Sequence, residues 1–287
     1  MIVDKRTWCE RKIFAKRIQK EIFRTIASLG VGHLGGALSL ADLLSVLYSD
    51  GGALKHDPKN PRWKDRDWLI CSKGHAGPAL YATLALRGYF PLEELDTLNK
   101  PHTNLPSHCD RNLTPGIDMT TGSLGQGAST ACGIALAHRM NGASNTIYLI
   151  IGDGEAQEGQ VWEMALLAAQ KKLDNLIAFI DYNHMQIDGT TDEINSLGDV
   201  AQKFREFGWF SVEADGHDPG ALQAAIDLAK TVKEKPSMIV MKTVKGEGWS
   251  KSAGAVGSHS RNVSKEEMEE ASAEIDIAIA KYREEAK

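Results

Sequence analysis

The chain has 287 residues, 42% of them apolar and 25% charged, with a formal net charge of −5. That balance fits a soluble globular protein, and with no Lys/Arg cluster beyond solvated helix faces, nucleic acid is excluded as an expected partner. No apolar stretch reaches about 18 residues, so no membrane span is expected. The opening MIVDKRTWCERKIFAKRIQ is too charged for a signal peptide. Cys9, Cys71, Cys109 and Cys132 lie far apart with no paired spacing, which points to reduced thiols and a cytoplasmic location.

Residues 8–29 place Ile13, Phe14, Ile18, Ile22, Phe23 and Ile26 at helical spacing. The glycine-rich turn GVGHLGG follows, with Ser39 expected to cap the next helix, ADLLSVLYS. DWLICS reads as a short strand, and SKGHAGPALYATLALRGYF as a turn and then a helix. Residues 101–123, rich in Pro, Thr, Asn and Gly, read as a long ordered loop, and such loops in compact domains are more often functional than idle.

LGQGASTACGIALAHRM is helical, and TIYLIIGDG is a buried strand ending at Gly-Asp-Gly. Residues 158–172 form a further helix before the strand NLIAFIDYN. WFSVEAD and SMIVMKT continue the alternation around the helix PGALQAAIDLAKTV, and Ser264 with Glu267 opens a charged final helix as a capping box. Strands that are nearly continuous in apolar residues and alternate with helices imply a doubly wound α/β fold. Its sheet is mostly parallel, with helices on both faces. The expected organisation is a single domain over residues 1–287 with a C-terminal helical extension.

In such a sheet, ligands sit beyond the carboxyl ends of the strands. Asp153 and Asn183, thirty residues apart, each stand just past a strand. If the strands are neighbours, a carboxylate and an amide oxygen face one crevice, a donor pair suited to a hard cation such as Mg²⁺. Gly152 and Gly154 allow close backbone approach to a phosphate, and amides at the following helix start favour its charge. A lone GDG serves equally well as a helix cap. The full pattern of GDG-x₃-EG, DxN thirty residues after Asp153, and then IDG is far more specific, and it reads as a Mg²⁺–diphosphate site.

That pattern resembles the thiamine-diphosphate motif, and more closely the diphosphate-binding domain of transketolases. The resemblance runs through GH at 32–33, SKGHAGPALYA at 72–82, TTGSLGQG at 120–127, GDGEAQEGQVWE at 152–163 and DYNHMQIDG at 181–189. It implies that Asp153, Asn183 and the carbonyl of Met185 hold Mg²⁺. By the same likeness Gly154 offers its amide to the diphosphate, and Gly122, Leu124 and Ile187 lie against the cofactor rings. His75 matches a diphosphate contact, His33 a sugar contact, His108 a donor-hydroxyl contact and His259 a phosphate contact. Glu158 and Glu163 match acidic residues at a subunit contact. The sequence departs from the family at three loops, where GHPG is GHLG, HPE is His108-Cys109-Asp110 and the usual His-Gly is His259-Ser260.

The expected function is the N-terminal subunit of a two-chain transketolase, moving a two-carbon ketol unit from a ketose to an aldose through thiamine diphosphate. A separate partner chain is expected to carry the pyrimidine-binding domain and its activating glutamate, in a heterotetramer. The alternatives are half of a 1-deoxyxylulose-5-phosphate synthase-like enzyme or of a 2-oxoacid decarboxylase, and a non-catalytic cofactor-binding paralogue. TTGSLGQG and the His108 loop favour a ketose-handling enzyme.

Overall fold

Strands that are apolar on both faces need cover on both faces, and the computed structural model, which describes residues 3–287, shows how it is supplied. In chain order, α1 (Lys5–Leu29) leads into β1 (Val31–Gly32), α2 (Gly35–Leu38) and α3 (Ala41–Tyr48). β2 (Trp68–Cys71) and α4 (Gly77–Leu86) precede the long loop, which ends at α5 (Gln126–Met140). Then come β3 (Ile147–Gly152), α6 (Gly159–Gln170), β4 (Leu176–Tyr182), α7 (Thr191–Asn195) and α8 (Val200–Glu206). β5 (Phe210–Asp215), α9 (Pro219–Thr231), β6 (Ser237–Lys242), β7 (Arg261–Asn262) and α10 (Lys265–Glu285) complete the α-helices and strands among the described residues.

Five strands form one sheet in the order β2-β3-β4-β6-β5, every pair parallel. β1 and β7 pair separately as a short antiparallel ladder. Side chains alternate strictly between faces. Tyr148, Ile150, Ile177, Phe179, Ile239 and Met241 join the core built with α1, α3, α4, α9 and α10. Ile147, Leu149, Ile151, Ala178, Ile180 and Val240 join a second core under α5, α6 and α8. The sheet is doubly wound, as the apolar strands require.

Helix ends follow local chemistry. Asp4 caps α1 through the Thr7 amide at 3.0 Å, and Gly30 closes that helix at φ 90°, a conformation that costs glycine little. The capping box expected at Ser264 and Glu267 forms in both directions. Ser39 departs from expectation. α3 is capped at Leu40 without a side-chain bond, and the Ser39 hydroxyl donates instead to the buried carboxylate of Asp181 at 2.6 Å. A charged acceptor that is fully buried outcompetes a helix-end amide for the hydroxyl.

Register does the positioning that matters for function. Gly152 lies opposite Asp181 across β3 and β4, so the chain leaves both strands at the same level. No helix among the described residues is long and apolar enough to cross a membrane.

Candidate functional site

The strand ends open into a cleft of about 320 Å³. On its floor Asp153, 2% exposed, accepts from the Gly154 amide at 2.8 Å and from the Asn183 amide at 2.9 Å. Asn183 Oδ1 accepts from the Met185 amide at 3.1 Å, which fixes its oxygen toward the same corner. Burial pushes the Asp153 carboxyl up to about 6, the neighbouring charge of Asp181 adds to this, and the Gly154 hydrogen bond pulls against it. The sequence pairing of Asp153 with Asn183 is thus a spatial pairing.

Two buried polar clusters hold that floor. Asp181, fully buried, receives hydrogen bonds from the Lys73 ammonium and from the hydroxyls of Ser39 and Thr243. Burial alone would raise its carboxyl, but the Lys73 charge and those three bonds hold it below the ordinary value. Glu155 accepts from the Ser72 hydroxyl and from the amides of Gly125 at 2.8 Å and Gly152 at 3.2 Å. Its carboxyl is raised by burial, with those bonds opposing. Glu155 therefore joins the TTGSLGQG turn to the GDG turn.

The histidines of four separate segments meet on the cleft wall. The His33 ring lies 5.3 Å from His75, 5.6 Å from His108 and 5.5 Å from His259, centroid to centroid, and His75 lies 5.2 Å from His259. Burial lowers His33, and the charge of His108 adds to this. Burial and then Lys73 press His75 well below the usual imidazole value, and burial and then Lys245 bring His259 to about 4. These three rings are neutral near pH 7, able to donate from one nitrogen and accept at the other.

Glycines let the loops meet. Gly122 has φ +153°, and a Cβ there would stand 3.2 Å from the His108 ring. A Cβ on Gly154 would stand 3.1 Å from the Cβ of Gln186. Gly152, Leu124 and Ile187 also line the cleft, Ile187 with 63% of its surface exposed. Glu158 lines the rim, while Glu163, exposed on α6, does not reach it.

Sequence reading missed two lysines. Lys73 stands beneath the cleft, paired with Asp181. Lys245, 2% exposed, points its ammonium at the carbonyls of Met185 (3.5 Å) and Gln186 (3.2 Å). Burial and the Lys73 charge lower it to about 8, with Asp153 and Asp181 pulling the other way. The one signal in the sequence was position, since Lys73 sits inside SKGH and Lys245 three residues past a strand.

A parallel sheet with oxygen donors, close-approach glycines, lysines and neutral histidines at its carboxyl edge defines an α/β protein with a polar cleft suited to an anionic ligand. The chain belongs to the transketolase family: the family model described as "Transketolase, thiamine diphosphate binding domain" matches residues 11–281. It is 54% identical over 262 residues to the 6-deoxy-6-sulfo-D-fructose transketolase subunit SqwG of Clostridium sp. (strain MSTE9), covering 91% of this chain and 94% of that one. It is 35% identical to an apulose-4-phosphate transketolase subunit of Phocaeicola vulgatus, covering 94% and 95%. The crystal structure of transketolase from Campylobacter jejuni subsp. jejuni superposes with a TM-score of 0.84 at 30% identity, covering 99% of this chain but 49% of that one. The chain thus spans nearly all of the subunit relatives and about half of the longer transketolase. It is a transferase of the transketolase type, with the thiamine diphosphate binding domain as its core.

Proposed function

We propose that this chain is the diphosphate-binding subunit of a two-chain transketolase that takes a two-carbon ketol unit from a ketose and gives it to an aldose. The observation that carries this reading is the convergence of Asp153, Asn183 and Met185 with His33, His75, His108 and His259 in one cleft. The relatives named as subunits, matched almost end to end, support a separate partner chain. The 54% relative's name directs the choice of donor to 6-deoxy-6-sulfo-D-fructose. We assign a heterotetramer of two of each chain, working in the cytoplasm, with residues 1–287 as one domain. The four cysteines are free and buried, in keeping with a reducing compartment.

The donor set fits Mg²⁺. A carboxylate, an amide oxygen and a backbone carbonyl are hard ligands of the kind that cation takes beside phosphate oxygens. The corner already attracts positive charge, since the Lys245 ammonium lies against the Met185 and Gln186 carbonyls. A divalent cation there would also favour the ionised form of Asp153, which burial disfavours.

Thiamine diphosphate, when bound, supplies the electron sink for carbon–carbon cleavage. The residues of this chain bind and orient. Asp153, Asn183 and the Met185 carbonyl would hold the metal, and the lysines, His75 and the Gly154 turn would face the diphosphate. His33, His108 and His259 would hydrogen-bond sugar hydroxyls and the oxygens on which charge develops. Glu158 at the rim would face the neighbouring subunit together with Glu163. Calorimetric titration of the chain with thiamine diphosphate, with Mg²⁺ and with chelator, tests the assignment. Metal-dependent binding is expected, and binding that ignores the chelator would remove the metal site.

A further inference from the structure

His217 lies outside the cleft, in the turn between β5 and α9, and the chemistry above does not use it. All four of its polar atoms are engaged. Its amide donates to Asp215 Oδ1 at 2.8 Å, and its carbonyl accepts from Lys12 Nζ at 3.0 Å. Nδ1 lies 3.2 Å from Asp42 Oδ2, and Nε2 lies 2.8 Å from the Val244 amide. The Val244 N–H can donate only to an unprotonated ring nitrogen, so Nε2 is the acceptor and Nδ1 carries the proton given to Asp42. Asp42 is fixed in turn by the Lys12 ammonium at 2.8 Å, a pair buried on both sides.

These bonds belong to a larger brace. Three ties join the segment 35–42 to the segment 243–246. Asp181 bridges Ser39 to Thr243, His217 bridges Asp42 to Val244, and the Gly246 amide donates to the Gly35 carbonyl at 3.1 Å. The first braced segment follows directly on His33. The second carries Lys245 and begins the loop that brings His259 to the cleft. Of the three, the His217 tie alone is made by a side chain that neither lines the cleft nor contacts one that does.

We propose that His217 is a positioning residue. As the Nδ1-protonated imidazole oriented by Asp42 and Lys12, it holds the Val244 backbone and so sets where Lys245 and the His259 loop meet the cleft. The role of Lys245 toward the cofactor and of His259 toward the sugar rests on the proposed function, whereas the brace itself does not.

The test is hydrogen exchange on the full chain, wild type against His217→Ala and His217→Gln, with thiamine diphosphate affinity measured beside it. Glutamine keeps an oxygen acceptor near the Nε2 position. In the alanine variant, exchange over residues 244–259 should quicken by roughly tenfold, the scale of one lost hydrogen bond and its orphaned donor, while β4 is unchanged. His217→Gln should recover most of that protection. Cofactor affinity should weaken roughly in step with loop exchange. Unchanged loop exchange, an equal rise in β4, or glutamine behaving like alanine overturns the proposal. So does full cofactor affinity with an opened loop. If wild type takes up no thiamine diphosphate, the functional reading fails while loop exchange still decides the brace. Ring-nitrogen shifts of wild-type His217 give a check that needs no variant to fold: the Nδ1-protonated tautomer is expected, and the Nε2-protonated one overturns the proposal.

Discussion

The Asn183 amide donates to Asp153 Oδ2 across 2.9 Å, tying the ends of two adjacent parallel strands directly to each other. The bond exists because Gly152 and Asp181 are in register, so residues just beyond them leave the sheet at one level. Each residue then presents an oxygen to the same corner of the cleft.

Asp153→Ala is expected to abolish Mg²⁺-dependent thiamine diphosphate binding while the chain stays folded. The substitution orphans the amides of Gly154 and Asn183 but also removes a desolvated carboxylate. The net loss in urea unfolding should be about 1–3 kcal/mol. Calorimetric titration of wild type and variant decides it, and equal cofactor affinities would contradict the metal assignment.

His108→Ala is expected to lower kcat/KM by roughly 10²-fold in the assembled enzyme, the range for a hydrogen bond that strengthens as charge develops. Cofactor affinity should hardly move, because His108 is assigned to the donor hydroxyls and not to the diphosphate. Steady-state kinetics with ketose donors check this. Unchanged kcat/KM would place the His108-Cys109-Asp110 loop outside the chemistry.

The strand-terminal residues were legible because two features coincide at each: an apolar run that ends, and a polar residue of the right type. The histidines were legible through short motifs of fixed order. What holds the site was not. The Lys73–Asp181 pair is 108 residues apart in sequence, and a lysine in SKGH or VKGEG looks like any solvated lysine until the fold buries it. Ser39 was misread because its position fits a helix cap, and local pattern carries no trace of the Asp181 carboxylate opposite. The helices Thr191–Asn195 and Val200–Glu206 went unread because each is too short to show a period.

Lys73→Met should destabilise the chain strongly. Lys73 is 2% exposed and Asp181 fully buried, so the variant leaves a carboxylate without its countercharge. Breaking such a pair from one side costs about 3–5 kcal/mol. Chemical unfolding of the purified variant measures it. A loss comparable to that of a surface pair would mean that water reaches Asp181.

Stability should depend on pH through the cleft histidines. Burial and nearby charge hold His33, His75 and His259 low, His259 at about 4. The unfolded chain binds protons at these rings near pH 6.5, the folded chain only at lower pH. Their contribution is therefore whole above about 6.5 and is lost as pH falls toward 4. Asp153 and Glu155, raised by burial, act in the opposite sense. The comparison of wild type with His259→Gln isolates the histidine. Wild type should lose more Tm than the variant as pH is lowered from about 7 to about 5. Parallel curves would mean that His259 does not titrate as its surroundings require.

In the proposed assembly this chain supplies the diphosphate and metal half of a site completed by another chain. Ketol transfer should be assayed with the purified chain alone and with its partner subunit, each with Mg²⁺, thiamine diphosphate and a panel of ketose donors that includes 6-deoxy-6-sulfo-D-fructose. The expected result is no turnover by the chain alone and turnover on mixing, with light scattering reporting a complex of two of each chain. Robust turnover by the chain alone, or none after a stable complex has formed, would overturn the two-chain assignment.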